Sequence, residues 1–463
     1  MEAILTYPIL SVSLLMVLAI LPNGSAMVGV IQAVPPVPAE YQQLYSNLKT
    51  SLESFNSQLG TQGAGANYSV ICGAELLPAN SNRGEALLAP NTIQAVRLYL
   101  DRFQELGING VTFPVGYPLY TPSFPRYQEY VQFYKQVVQE IRSRGMTIDI
   151  ESSVLFTNSA FSTLKFNYDT VSFQEFENQR KQMIAALIRD LQPDYLNLGA
   201  EPDTQYKLTG YAEFNSPDQY AAYINYLLNG LDRGKTRVGA GIGTWGNIQY
   251  VQSLAANTSL DFIAMHVYPV IGNTMPLIVT IADVAHQHGK AVTLDEAWLY
   301  KVDTLQSTSI AANVDIFRRD LFSFWAPLDQ EFLATIVRTA RRANIVYISP
   351  FWSMLFFSYA DYDSTTAAMS YSDLSTMVNE AAARNIANDQ FSSTGSFYQA
   401  LIGTKSNAAS TVSTSIVQPT VTTSTEAAAP RLSVLVLVAL AAVVSVAAIF
   451  AALMSRRRQI HRN

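Results

Sequence analysis

The chain runs to 463 residues, with a net charge of −6 and only 14% charged residues. That length houses one large barrel domain with appendages, and the sparse, slightly acidic charge excludes an electrostatic nucleic-acid binder. The lone cysteine, Cys72, excludes an intrachain disulfide framework and reads as a small core residue in an apolar run. The four histidines argue against a zinc site, since His286 and His288 are spaced so that they share no helix face. No cofactor is implied.

From the N-terminus, residues 9–21 are apolar and lead into Pro22, Asn23, Gly24, Ser25 and Ala26, the pattern of a secretory signal over residues 1–26. Its leading segment carries Glu2 and no Lys or Arg, so an uncleaved N-terminal anchor is the alternative. Leu44, Leu48, Leu52, Phe55 and Leu59 then recur at helical spacing and predict an amphipathic helix within residues 39–60.

From residue 68 a regular alternation begins. Apolar, β-prone runs predict strands at 68–75, 108–115, 146–153, 194–199, 237–243, 260–266, 291–295 and 344–350. Helices are predicted between them at 90–105, 126–144, 173–191, 217–232, 248–255, 276–288 and 310–342, with 393–401 closing the ring. Gly107, Gly145 and Gly289 each stand between a helix and the next strand, where a helix-stopping glycine belongs. Eight strand–helix units in sequence imply parallel pairing and closure, so the fold class is α/β, a (β/α)₈ TIM barrel over residues 68–403.

The C-terminal end has another character. Residues 404–430 are rich in Ser, Thr and Ala, with no apolar period, and read as an extended stalk. Residues 432–454 carry no charge and are long enough to span a hydrocarbon core of ~30 Å as one transmembrane helix. Arg456, Arg457, Arg458 and Arg462 follow, which places residues 455–463 on the cytoplasmic side. A lipid-anchor signal would end in its apolar tail, and this chain does not. Asn67 and Asn257 head glycosylation sequons. The expectation is an extracellular barrel at the cell surface, held to the membrane by one C-terminal helix. The oligomeric state is not legible.

Two stretches carry the chemistry: YLNLGAEPD at 195–203 and AVTLDEAWLY at 291–300. Each is an apolar run that ends in a glutamate, which puts Glu201 and Glu296 at the C-terminal ends of strands four and seven. A parallel barrel gathers its reactive groups at that rim, where two carboxyls can divide the acid and nucleophile roles in splitting a glycosidic bond. Taken singly, either could be a capping or ion-paired residue. Glu151 ends strand three and could bind a sugar hydroxyl or form a structural ion pair. Asp203 and Asp295 are further acids near the pair, although strand alternation predicts that Asp295 points away from Glu296. Trp245, Trp298 and Trp352 directly follow strands five, seven and eight, and indole faces suit the C–H faces of sugars. Trp325 reads as core.

With these motifs, and with DFIAMHVYP after strand six and SPFWS after strand eight, residues 68–401 resemble the clan A glycoside hydrolases. The resemblance implies that Glu201 is the acid/base and Glu296 the nucleophile. It also implies that His266 and Tyr268 line the site, with Trp352 as its aromatic floor. Tyr268 can donate to Glu296 and help keep it ionised. Two departures stand out. Ala200 occupies the place where the clan usually has an Asn that binds the sugar 2-hydroxyl. The second strand reads VTFPVGYP, without the clan's frequent Arg. The resulting expectation is a membrane-anchored retaining hydrolase of β-linked oligo- or polysaccharides. The alternative is a catalytically silent glycan-binding surface protein on the same barrel. A metal-dependent hydrolase lacks the His ligands it would need.

Overall fold

The computed structural model describes residues 35–60, 69–157, 159, 162–270, 272, 274–302 and 314–403. The expected signal segment, stalk, membrane span and basic tail lie outside the described residues, as does Asn67. Among the described residues no helix is long and apolar enough to cross a membrane.

Eight parallel strands form the centre: β1 (Ile71–Cys72), β2 (Gly110–Pro114), β3 (Thr147–Glu151), β4 (Tyr195–Asn197), β5 (Arg237–Gly243), β6 (Phe262–Val267), β7 (Ala291–Ala297) and β8 (Tyr347–Pro350). From β2 to β8 each strand pairs with its sequence neighbour, and β1 pairs with β8. The ring closes where Glu75 bridges Thr112 and the Thr112 amide donates to the Ala74 carbonyl at 3.1 Å. The fold is thus the expected (β/α)₈ barrel.

Around it lie α1 (Gln42–Leu59), α2 (Thr92–Leu106), α3 (Tyr127–Ser143), α4 (Phe173–Leu191), α5 (Pro202–Thr209), α6 (Pro217–Leu228), α7 (Ile248–Asn257) and α8 (Thr274–Gln287). The ring of helices continues with α9 (Val314–Asp320), α10 (Ala326–Arg342), α11 (Ser364–Ala367), α12 (Tyr371–Ala387) and α13 (Ser393–Gly403). Alternate strand residues divide the work. Val111, Phe113, Ile148, Ile150, Leu196 and Ile348 are buried in the apolar core. The barrel interior combines an apolar cluster of Tyr195, Phe262 and Ala264 with polar links, Thr112 joining Asp149 and Tyr347, and Asn197 bonded to Asp295. Gly107, Gly145 and Gly289 do stop their helices, at φ of 82°, 68° and 69°. α1 is the expected outer helix: Leu44, Leu48, Leu52, Phe55 and Leu59 are all buried, and Asn56 bonds Thr335 of α10.

The single helix expected over 310–342 is broken. α9 ends at Asp320, Phe322 makes a lone bridge to Ala360, and α10 begins only at Ala326. Pro327 explains the restart, since proline fits a first helical turn and not an interior. The break holds a buried charge cluster. Lys301, fully buried, donates to Asp329 at 2.5 Å and lies 3.5 Å from Asp320. Burial, against the pull of Lys301, pushes the Asp320 carboxyl from 3.8 up to about 7.

A group whose folded value is raised in this way favours the folded state below its unfolded value, and loses that advantage as pH rises through the folded one. Asp320→Asn is therefore expected to gain stability over the parent as pH rises from about 4 to about 7. Lys301→Met should cost about 3–5 kcal/mol by leaving two buried acids uncompensated. Urea unfolding of both variants across that pH window checks this. A constant difference for Asp320→Asn would refute it.

Candidate active site

The mouth of the barrel is shaped first by backbone. After β4 the chain turns at Gly199, whose φ of 150° lies where side chains are strained. A Cβ there would stand 2.6 Å from Gln205 and 2.9 Å from the Tyr220 hydroxyl. The turn makes Glu201 the N-cap residue of α5, with Pro202 in the first turn. Opposite, pairing of β6 with β7 jumps from Met265↔Leu294 to His266↔Glu296, and pairing of β7 with β8 jumps from Leu294↔Ile348 to Ala297↔Pro350. The extra residue is a bulge, which corrects the alternation argument for Asp295. Asp295 faces the interior and accepts from Asn197 of β4 at 2.8 Å, while Glu296 also reaches the mouth. Asn197 accepts in turn from the Gly199 amide, so one side chain ties together the two strands that carry the glutamates.

His266 and Tyr268, two apart on one strand line, each serve a glutamate. His266 Nδ1 lies 2.8 Å from Glu201 Oε1 and 3.2 Å from Glu296 Oε2. The two distances laid end to end put the nearest oxygens of the pair at most about 6 Å apart, close enough for both carboxyls to flank one glycosidic bond. Tyr268 donates a short hydrogen bond to Glu296, and Thr204 donates to Glu201 at 2.6 Å. Glu151 Oε1 stands 3.5 Å from His266 Nε2 on the far side of the ring.

Burial raises every acid here, and partners decide how far. For Glu201, the His266 hydrogen bond and charge, with Thr204, outweigh burial and hold it below the usual carboxyl range. Glu296 goes the other way: burial and the neighbouring Glu151 push it well up, against His266. His266 is itself pushed well up, because Glu296 and Glu151 overcome the desolvation of its charged form. Asp295 rises to about 6, from burial opposed by Thr293 and His266. Of the pair, Glu296 is thus the carboxyl whose surroundings favour the protonated form.

Glu201, Glu296, His266, Tyr268 and Glu151 are thus brought together. Trp245 is half-buried beside them, its ring 6.0 Å from Tyr268 and its Nε1 donating to Asp203 at 3.2 Å. Trp352 is half-buried against Phe351 and Phe317, with its Nε1 unbonded. Trp298 corrects the tryptophan argument. It is fully buried against Phe356 and offers no face to a ligand. Its position just past the strand end points it beneath the loops instead of over the mouth.

Sequence reasoning missed Tyr300, which stacks on Tyr268 at 4.3 Å. It also missed Glu75, a buried acid just past β1 that accepts from Asn80 at 2.7 Å. A glutamate ending an apolar run, the signal used for Glu201, would have found Glu75. A separate cavity of about 870 Å³ lies between the loops after β2 and β3, where Tyr117, Phe124, Lys165 and Phe166 line it and neither catalytic candidate does. Glu151, His266 and Glu296, and likewise Asp149, Glu151 and Asp295, lie close enough to share a cation, with donor atoms within 4.8 Å of one another.

No protein-family profile matches the sequence, and no curated protein matches it. Solved structures do. The chain is similar to GH5_18 from Bifidobacterium longum subsp. longum, at 14% identity over 74% of this chain and 80% of that one, with a TM-score of 0.48. It is also similar to the exo-β-1,4-mannosidase Op5Man5 from Opitutaceae bacterium strain TAV5, at 14% identity, 72% and 59% coverage and a TM-score of 0.44. A GH113 β-1,4-mannanase matches at 10% identity, 73% and 98% coverage and a TM-score of 0.41. Identities this low leave the question of function to the site itself.

Proposed function

We propose that the chain is a retaining glycoside hydrolase of the clan A type, acting on a β-linked oligo- or polysaccharide, with Glu296 as nucleophile and Glu201 as acid/base. One observation carries the reading: a single imidazole nitrogen touches both glutamates at the barrel mouth, so the pair flanks a gap of at most about 6 Å. Attack needs Glu296 ionised and Glu201 protonated, against the direction in which their surroundings shift each of them. His266 Nδ1 can give its proton to Glu201 and take one from Glu296, which leaves the imidazolium as it was. Tyr268 then stabilises the ionised nucleophile through its hydroxyl.

The test is turnover of a panel of aryl β-glycosides and β-linked oligosaccharides, followed by NMR of the first-formed product. The expected first product is the β-anomer, because two displacements retain configuration. An α-anomer would overturn the double displacement. The second reading, a silent glycan-binding protein, draws on Ala200 and on the opposed shifts of the two glutamates. Glycan binding without turnover on the whole panel would establish it.

We also propose that the barrel is extracellular, with residues 1–26 as its secretory signal and residues 432–454 as its single membrane anchor. The uncharged run and the arginines behind it support this. Removing residues 432–463 is expected to release a soluble protein whose thermal unfolding matches that of the full chain in detergent. Aggregation of the shortened chain would sink the idea.

A further inference from the structure

We propose that the site selects a glycan bearing a free, protonated amine, such as a hexosamine unit, and that Glu151 is the residue that holds the ammonium. This rests on the glycosidase reading and adds its substrate class. Three carboxyls, those of Glu151, Glu201 and Glu296, crowd around one imidazole. Asp149 and Asp295 stand behind them, both inside the barrel and almost fully buried. Of the positive groups that shape these acids, His266 stands out, together with Lys207 at Glu201. Lys207 lies 3.5 Å from Asp203. Buried acids in such excess over cations are costly to ionise when left unpaired.

Glu151 is the member with room for a closer partner at one oxygen. It is 6% exposed, and its Oε1 makes no hydrogen bond. It faces His266 Nε2 at 3.5 Å, an ion pair without a close hydrogen bond, and that nitrogen has no nearer partner. The pairing Glu151↔Asn197 sets Glu151 beside the end of β4, and the residue before Glu201 there, Ala200, has no polar side-chain atom to offer a ligand.

A neutral sugar hydroxyl would donate one hydrogen bond to Glu151 and leave the negative excess as it was. A uronate or sulfate would add to that excess. An ammonium group brings three donors and a positive charge. Its bond to a carboxylate is charge-assisted and roughly twice as strong as a neutral one. Of these sugar classes, the amino sugar alone lowers the cost of ionising the acids as it binds.

The experiment compares kcat/KM of the full-length protein on matched β-1,4 oligomers of glucosamine, N-acetylglucosamine and glucose, below neutral pH so that the amine is charged. The free-amine series is expected to lead both others by about tenfold or more, the scale of one charge-assisted contact. Raising NaCl from about 50 to about 500 mM should cut that lead several-fold, because part of it is screened attraction. Glu151→Gln should bring the ratio of amine to acetyl substrate towards one. Equal rates on all three series, or a lead for the acetylated one, would overturn the proposal and leave the glycosidase intact. A lead that survives both salt and Glu151→Gln would overturn it too. Stabilisation of the sugar-free protein by millimolar Ca²⁺ or Mn²⁺, lost in Glu151→Gln, would give the carboxyls to a metal and overturn it as well. Failure on every neutral and charged substrate would instead bring down the glycosidase reading.

Discussion

Glu296→Gln is expected to lower kcat by about 10³-fold or more on every substrate, because an amide cannot form the glycosyl–enzyme bond on which both displacements depend. The same change should leave the fold undisturbed. Burial and the neighbouring Glu151 hold Glu296 well above the usual carboxyl range, which favours its neutral form. An amide of the same shape imitates that neutral state and can still accept from Tyr268. Thermal unfolding of the variant should therefore match or slightly exceed that of the parent, since a buried group that must ionise has been removed. The combination discriminates. Lost activity with lost stability would mean that Glu296 is a structural acid, and retained activity would move the nucleophile elsewhere, with Glu151 next in line.

The barrel itself was readable because its strands and helices obey local rules. β5 (Arg237–Gly243) and α4 (Phe173–Leu191) coincide with the apolar run and the helical period that predict them. The outward residues of the strands must be apolar to meet the helices, and that requirement is written along the chain. The glutamates were readable because a strand end is a sequence feature and a barrel rim is its consequence.

What escaped depends on partners far along the chain. The bulge at Asp295 arises from how β7 pairs with β6 and β8, and no window of ten residues contains that pairing. Trp298 looks the same in sequence as Trp245, yet one is fully buried against Phe356 and the other borders Tyr268. The helix α5 was missed because its apolar pattern is weak. It is set by Pro202 in its first turn and by the Gly199 bend, not by a stripe of core residues. His266 bridging both glutamates is likewise a property of the closed ring: β6 pairs directly with β7, while β4 lies two strands away.

Glu201→Ala is expected to fail selectively, and the manner of failure identifies its role. A glycoside whose leaving group is already acidic, such as a dinitrophenyl glycoside, needs no proton in the first step. Its glycosyl–enzyme should form at close to the parent rate, seen as a burst of released phenol. Glycosides with poor leaving groups should lose about 10²–10⁴-fold, the usual worth of a positioned general acid. The second step needs a base to deprotonate water, and none remains at that position, so the intermediate should accumulate. Azide requires no base. Added at high concentration, it should restore turnover by about tenfold or more, and the product should be the β-glycosyl azide, since the second displacement again inverts at the same carbon. His266 supplies an internal control. Glu201 is one of the partners that raise its pKa, and with it gone the imidazole should titrate lower, which NMR of the ring protons would show. Azide rescue that gives the α-azide, or no rescue together with an equal loss on all leaving groups, would remove Glu201 from the acid/base role even if the variant is folded and nearly inactive.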